Sequence, residues 1–338
     1  MKPFNESFTR IAFFTITLVI FIHFGCLSAI GEQVASGGNG RVTSDRCLPD
    51  TGQRLCFDNA KEIPCPKPGM PFYGQDGNYL LNPQSYSVIQ EGSYKVVLDK
   101  VTGLKWRRVG GSAKNIVEAV ETIEGFGKGN WRLPQILELE SLASYGQGPG
   151  FIFEVFNAAG DVTDCYWSFT TRGFPAIDFL AFCSSSKEIV SYDQDERLEV
   201  LAVSGPPLEF GRYVDSGNGT VVDTTTGLMF QVSETRPMTW EEALRYCEDL
   251  SLGGYSDWRL PNVRELLSIV KFKEQGPCID EKWFPGARPG IYWSSTTFER
   301  APNMSWVVDF SKGVSYPGGF KRRRYFVRAV RGGHQNCH

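Results

Sequence analysis

Histidine is scarce in this sequence, with three residues in a chain of 338. His23 lies in an N-terminal apolar run, and His334 and His338 close the chain. Neither a Ser-His-Asp triad nor a His-rich zinc site therefore has its parts within the body of the chain. No G-x-S-x-G elbow, P-loop or C-x-x-C occurs either. A dominant charge is also missing: 35 Lys and Arg stand against 38 Asp and Glu, for a formal charge of -3. Counterion release then supplies no global attraction to nucleic acid, and an anion-binding surface must be a local patch. Long hydrophobic runs are absent as well. The longest, Ile11 to Phe24, is about 14 residues, short of the roughly 20 that a membrane span needs.

What is present is a composition that can bury a core, 41% hydrophobic and 13% aromatic, together with nine cysteines. Lys2 and Arg10 flank the apolar run, and the small-residue stretch Gly25, Cys26, Leu27, Ser28, Ala29 follows it. That order reads as a secretory signal peptide over residues 1–31, expected to be cleaved. A lipidated Cys26 and a retained anchor are the alternatives, but His23 sits where a lipobox carries a small aliphatic residue. No membrane span is expected after cleavage. Export implies an extracellular, cell-surface or periplasmic location. It leaves Cys47, Cys56, Cys65, Cys165, Cys183, Cys247, Cys278 and Cys337, an even set suited to disulfides. Cys56 and Cys65 bracket a short loop and form a plausible local bridge, although eight cysteines allow on the order of a hundred pairings.

Residues 32–92 are rich in Gly, Pro, Asn and Asp and keep no sustained period, which predicts an irregular, cystine-tied lead-in. Beyond it one unit is written twice. Asp99, Thr102, Gly103, Leu104 and Trp106 recur as Asp223, Thr226, Gly227, Leu228 and Phe230. Trp131, Arg132, Leu133 and Pro134 recur as Trp258, Arg259, Leu260 and Pro261, and Tyr166, Trp167, Ser168 as Tyr292, Trp293, Ser294. Ala202-Val203 recurs as Ala329-Val330. The order is kept at a displacement of about 125 residues, so two tandem repeats follow. Their expected bounds are 93–205 for a degraded first copy and 211–333 for the second. Residues 206–210 form the linker and 334–338 a tail.

Each copy predicts a turn, a β-rich run, a helix, the WRLP element, a second short helix and closing strands. In the second copy Thr239 with Glu242 and Asn262 with Glu265 fit capping boxes. Ala243, Leu244, Cys247 and Leu250 stripe one helix, and Val263, Leu266, Leu267 and Val270 the other. In the first copy Ser112 is the candidate cap, before the stripe Ile116, Val117, Val120, Ile123. IYWSST, MSWVVDF and RRYFVRAV read as antiparallel strands. The fold class is α+β.

At TGLMF, GGYSDWRLPNVREL, YWSST and FVRAVRGG the chain resembles the collagen-like adhesin C-terminal (Lcl_C) domain family, formerly a bacterial domain of unknown function. The lead-in segments LPDTGQRLC, IPCPKPG and FYGQDGNY resemble the stretch preceding such domains in exported proteins. The resemblance implies a relationship to the C-type-lectin-like superfamily, with two helices on a twisted antiparallel sheet in each copy. It also implies attachment to a sulfated or other anionic polysaccharide. Members commonly carry a cysteine at the position of Ala329, facing the one that matches Cys247. Here that partner is missing, which leaves Cys337 and Cys278 as candidates for Cys247. Cys165 and Cys183 are expected to bridge adjacent strands, within the limits on Cα separation.

The run Lys321, Arg322, Arg323, Arg324, followed by Tyr325, is the one conspicuous basic concentration, with Lys312, Arg328 and Arg331 nearby and Tyr316 interleaved. Guanidinium forks match sulfate and phosphate, and tyrosine rings stack on sugars, so Lys321 to Tyr325 form the candidate polyanion site. The competing reading is a solvated hairpin whose charges discourage edge pairing. The first copy carries Tyr192 to Arg197, largely acidic, at the equivalent place. WRLP reads as structure: Trp258 as a core anchor, Arg259 tied to Glu265 or Asp257, and Pro261 opening a helix. DSGNGTVVD reads as a turn and not a calcium loop, and no metal or cofactor is expected. The sequence thus points to an exported, non-enzymatic binding or adhesion module. A structural or protein-interaction module of the cell envelope is the alternative, with an envelope protein as partner. An enzyme of the formylglycine-generating type, which needs a reactive cysteine pair, ranks last.

Overall fold

The computed structural model describes residues 47–126, 129–146, 150–156, 164–172, 178–272 and 276–333. The expected signal peptide and tail, with Cys26 and Cys337, lie outside them. The lead-in contributes a small ribbon, β1 (Cys56–Phe57) with β2 (Glu62–Ile63), closed by the disulfide Cys56–Cys65. It then extends as β3 (Tyr86–Glu91), so the last part of the expected irregular segment is a strand. Alternating side chains in YSVIQE pair with β4 (Tyr94–Asp99), and Val88 and Ile89 remain exposed on this edge.

The first repeat continues with β5 (Lys105–Ala113), α1 (Ile116–Glu124), β6 (Trp131–Arg132), α2 (Ile136–Ser141) and α3 (Phe151–Phe156). It closes with β7 (Cys165–Arg172), β8 (Asp178–Cys183), β9 (Glu188–Asp193) and β10 (Leu198–Ser204). The sheet order is β3-β4-β5-β10-β7-β8-β9, with β6 against β10. Cys165 and Cys183 face each other across β7 and β8 and form the expected disulfide. Two local expectations are corrected. Ser112 cannot cap α1 because it lies within β5, opposite Glu199, and Asn115 caps instead by accepting the Glu118 N–H. The repeat also carries a third helix, α3, which the irregular spacing around Pro149 concealed.

The second repeat follows the same path: β11 (Tyr213–Asp215), β12 (Thr220–Asp223), β13 (Leu228–Gln231), α4 (Trp240–Glu248), α5 (Val263–Leu267), β14 (Ile291–Thr297), β15 (Met304–Asp309), β16 (Val314–Phe320) and β17 (Val330–Gly332). Both capping boxes form, at Thr239 with Glu242 and at Asn262 with Glu265. α5 stops at Leu267, capped at Ser268, so Val270 packs from beyond the helix end. The final strand is antiparallel to β13 and completes the order β11-β12-β13-β17, while β14-β15-β16 form a separate sheet; a single isolated parallel bridge, Tyr292 to Phe326, joins β14 to the segment before β17. The first repeat has the same feature at Glu199 and Tyr166 between β10 and β7. The sheet of the first repeat is therefore not purely antiparallel: its closing strand, β10, lies beside β7, which runs the same way.

The described residues belong to one compact unit, and the two copies share a core. Val97, Trp106, Leu139 and Leu201 from the first copy belong to the same buried cluster as Phe230, Leu266, Trp306 and Val330 from the second. Each copy keeps a satellite cluster of its own, one around Trp167 and Ile116 and one around Trp240 and Trp293. The copies are further joined by Arg264 of α5 and Glu140 of α2, an ion pair in which both side chains are 1% exposed.

Candidate functional site

The residues from Lys321 to Tyr325 form the turn after β16, but they do not act together. Lys321 points inward and is 2% exposed. Its ammonium lies 3.7 Å from the centre of the Trp240 ring and donates to the Asp58 carbonyl at 2.9 Å. Burial pushes this amine down to about 7. Lys321 is thus a clamp between the lead-in and the turn, not a surface cation, because its ammonium is held inside by the Trp240 ring and the Asp58 carbonyl. Arg322 and Arg323 are exposed, their guanidinium carbons 5.0 and 5.9 Å from the Phe320 ring centre. Among the described residues neither has an acidic partner. Arg324 shares Glu242 Oε1 at 3.1 Å. Tyr325 is half-buried, its ring 4.6 Å from that of Trp293, and its backbone pairs with Met238 on both sides.

The neighbouring cations scatter. Lys312 stands at the opposite end of β16, about 20 Å away at the usual strand rise. Arg328 is fully buried, donating to the Gln231 and Val232 carbonyls and to Glu234, with the Phe284 ring 4.6 Å away. Arg331 is held by Asp257 at 2.6 and 3.0 Å and lies on the Tyr255 ring. Tyr316 is half-buried against Trp293 and its neighbours.

Arg324 instead borders a groove of about 570 Å³ between the outer face of α4 and the segment leading into it. Arg236 and Arg245 line it, together with Met238, Tyr246 and Leu250. Arg236 and Arg245 are exposed and, among the described residues, without ion-pair partners. Glu242 is in the groove but committed: the Thr239 N–H, foremost, holds its carboxyl below the usual range, and Arg324 adds to this. Sequence reading missed Arg236 and Arg245 because they are isolated in the chain and meet Arg324 only in the fold. The one signal was the capping box at Thr239, which puts Arg245 on the exposed face of α4.

WRLP is structural in both copies. Arg259 grips Glu265 through two bonds of 2.6 Å, and Arg132 grips Glu138 through two of 2.7 Å. Glu265 and Glu138 in turn accept the backbone N–H at the head of their helices, from Asn262 and Gln135. Trp258 is buried with its indole N–H on the Leu252 carbonyl. In DSGNGTVVD, Asp215 accepts the Gly217 N–H in a turn, and Asp223 is buried and accepts from Gly211 and Thr225. Gly217 and Gly219 take positive φ there, as a tight turn requires.

Cys247 corrects the expectation of a full set of cystines. It is a buried free thiol in the cluster that holds Ala329, the position where a bridging cysteine would sit. Burial, then the nearby Glu248, pushes this thiol well above its ordinary range, which disfavours the thiolate. Native protein is expected to leave Cys247 unmodified by a soluble disulfide reagent, and guanidinium unfolding to expose it. Rapid labelling of Cys247 in the native state, read by peptide mass, would contradict this packing. Cys47 is disulfide-bonded.

Two α+β repeats whose elements follow one another in the same sequence, each pinned by an Arg–Glu fork after a Trp, define a tandem-repeat protein of one domain type. Residues 95–204 and 219–331 each match the Lcl C-terminal domain, and the chain belongs to that family, with two tandem copies. A search of curated proteins finds no match to the chain.

Proposed function

We propose that the protein is an exported, non-catalytic binding module that holds an anionic polysaccharide through the turn after β16. The observation that carries this reading is the pair Arg322 and Arg323, both exposed and, among the described residues, without carboxylate partners, with Arg324 next in the turn. Unpaired guanidinium forks on a protein of net charge -3 form a local anion site at which electrostatics persists while the bulk surface is neutral or acidic. The disulfides Cys56–Cys65 and Cys165–Cys183 support export, since such bonds persist in oxidising compartments. The buried thiol of Cys247, with its thiolate disfavoured, supports a binding role over formylglycine-type chemistry. The closing strand paired beside the opening strands of each repeat, with helices packed against the sheet, supports a C-type-lectin-like repeat.

Retention on immobilised heparin tests the reading. Wild-type protein should elute at a salt concentration that falls in the variant Arg322→Gln/Arg323→Gln/Arg324→Gln. With about three anion-binding guanidiniums removed, the slope of log affinity against log salt should shrink by roughly two to three. Equal elution of the two proteins would refute the assignment. The exposed Val88 and Ile89 on edge strand β3 favour a second reading, a protein-interaction module of the envelope. That reading predicts no heparin retention and a defined complex on size-exclusion chromatography.

A further inference from the structure

We infer that the groove beside α4 seats one acidic sugar unit carrying a single anionic group, as a subsite distinct from the exposed Arg322 and Arg323. The inference rests on the polysaccharide reading and deepens it. Three guanidiniums, Arg236, Arg245 and Arg324, meet two carboxylates, Glu242 and Asp249, around the groove. Glu242 is already spent on Arg324 and on the head of α4. The groove therefore offers two uncommitted guanidinium forks and one uncommitted carboxylate.

A densely sulfated or phosphorylated ligand would meet Asp249 with repulsion. A polyhydroxylated monoanion would not: its carboxylate or sulfate takes the forks of Arg236 and Arg245, and its hydroxyls donate to Asp249 and exchange bonds with Ser251. The floor suits a sugar as well. Gln231 donates to the Tyr246 hydroxyl at 2.8 Å, which fixes the ring in place beside Leu250 and Met238. A pinned aromatic and aliphatic floor under polar walls is how concave sites orient a compact ligand, and about 570 Å³ is within the range of such sites. Nucleic acid and phosphopeptides present charges of higher density and few hydroxyls, so the Asp249 wall selects against them.

The experiment uses the full mature chain and a hyaluronan tetrasaccharide, which has one carboxylate per disaccharide and no sulfate, in parallel with long-chain heparin. Calorimetry should show saturable tetrasaccharide binding by wild-type protein, weakened at least tenfold in Arg236→Gln/Arg245→Gln. Heparin elution of that variant should stay near wild type, because Arg322 and Arg323 remain. Asp249→Asn tests the carboxylate wall: it should weaken the tetrasaccharide and leave heparin elution near wild type, because heparin is held at Arg322 and Arg323. If wild type is retained on heparin but the tetrasaccharide does not bind, or binds the double variant equally, the groove assignment falls and the polysaccharide reading stands. If neither ligand binds wild type, both fall. Circular dichroism of the variants guards against misfolding, which is not expected at three exposed positions.

Discussion

Replacing Arg264 by methionine is expected to destabilise the protein by about 3–5 kcal/mol, the cost of breaking a buried ion pair from one side. The guanidinium is fully buried and every one of its nitrogens is used. Nε bonds Glu140 at 3.1 and 3.3 Å, Nη1 bonds the carbonyls of Pro49 and Asp50, and Nη2 bonds those of Glu140 and Ala143. Removing it leaves the Glu140 carboxylate charged in a site 1% exposed and takes one donor from each of four carbonyls, of which Glu140 keeps the Ala143 N–H and Ala143 keeps Gln84. Because those carbonyls belong to the lead-in and the first repeat, the loss acts on both joints of the molecule at once. Glu140→Met alone should cost a similar amount, since it strands the guanidinium. The double variant should recover only part of the loss: the two charges disappear together, but the carbonyls of Pro49 and Asp50 lose the bonds that Arg264 gave them. Urea denaturation of the four proteins, followed by tryptophan fluorescence, gives the coupling energy directly. Additive single effects would mean that the pair is not the joint between the copies. The shared core further predicts one transition, with no separate unfolding of the two repeats.

How far the sequence reaches is clear from the contrast between Arg259 and Arg264. Arg259 was legible because its partner Glu265 is six residues away, the motif is written twice, and the carboxylate doubles as a helix cap. Arg264 has no counterpart in the first copy, where Leu137 holds the place, and its partner Glu140 is in the other repeat. Nothing local marks it. The same distinction separates the cysteines: Cys56–Cys65 closes a short loop and Cys165–Cys183 pairs neighbouring strands, whereas the solitude of Cys247 depends on what stands at Ala329 across the core. Four consecutive basic residues in the turn after β16 gave one charge signal, yet a turn sends successive side chains to different sides. Which of them meets Trp240 is decided by α4, whose first backbone N–H bonds the Lys321 carbonyl. Arg236 and Arg245 lay beyond reach for the same reason, since a groove is a property of the packed helix and not of either residue's neighbours.

Lys321 and Asp76 should give the folded state opposite responses to pH on either side of neutrality. Asp76 is buried and accepts the hydroxyls of Thr51 and Thr296 at 2.7 and 2.6 Å, and burial, against those bonds, pushes its carboxyl up to about 7. A folded pKa above the unfolded 3.8 means that the native state binds the extra proton in between. Its contribution is therefore full below 3.8 and is lost as pH rises through about 7. Lys321 runs the other way. Its folded value of about 7 lies below the unfolded 10.5, so the unfolded state holds the extra proton and stability climbs from about 7 towards 10.5. Each slope can reach about 1.4 kcal/mol per pH unit. In Asp76→Asn the loss between pH 4 and 7 should flatten, and in Lys321→Met, where a thioether can pack on Trp240, the gain between pH 7 and 10 should flatten. Urea denaturation across this range measures both, and variant curves parallel to wild type would show that the two groups do not titrate with folding. Both residues stand where the lead-in meets the second repeat, Asp76 at Thr296 and Lys321 at Asp58. Near pH 7 the carboxylate is ionising in its buried site while the amine still carries part of its charge. Hydrogen exchange in residues 51–79 should accordingly be fastest, relative to the rest of the core, close to neutrality, after correction for the intrinsic rise with pH.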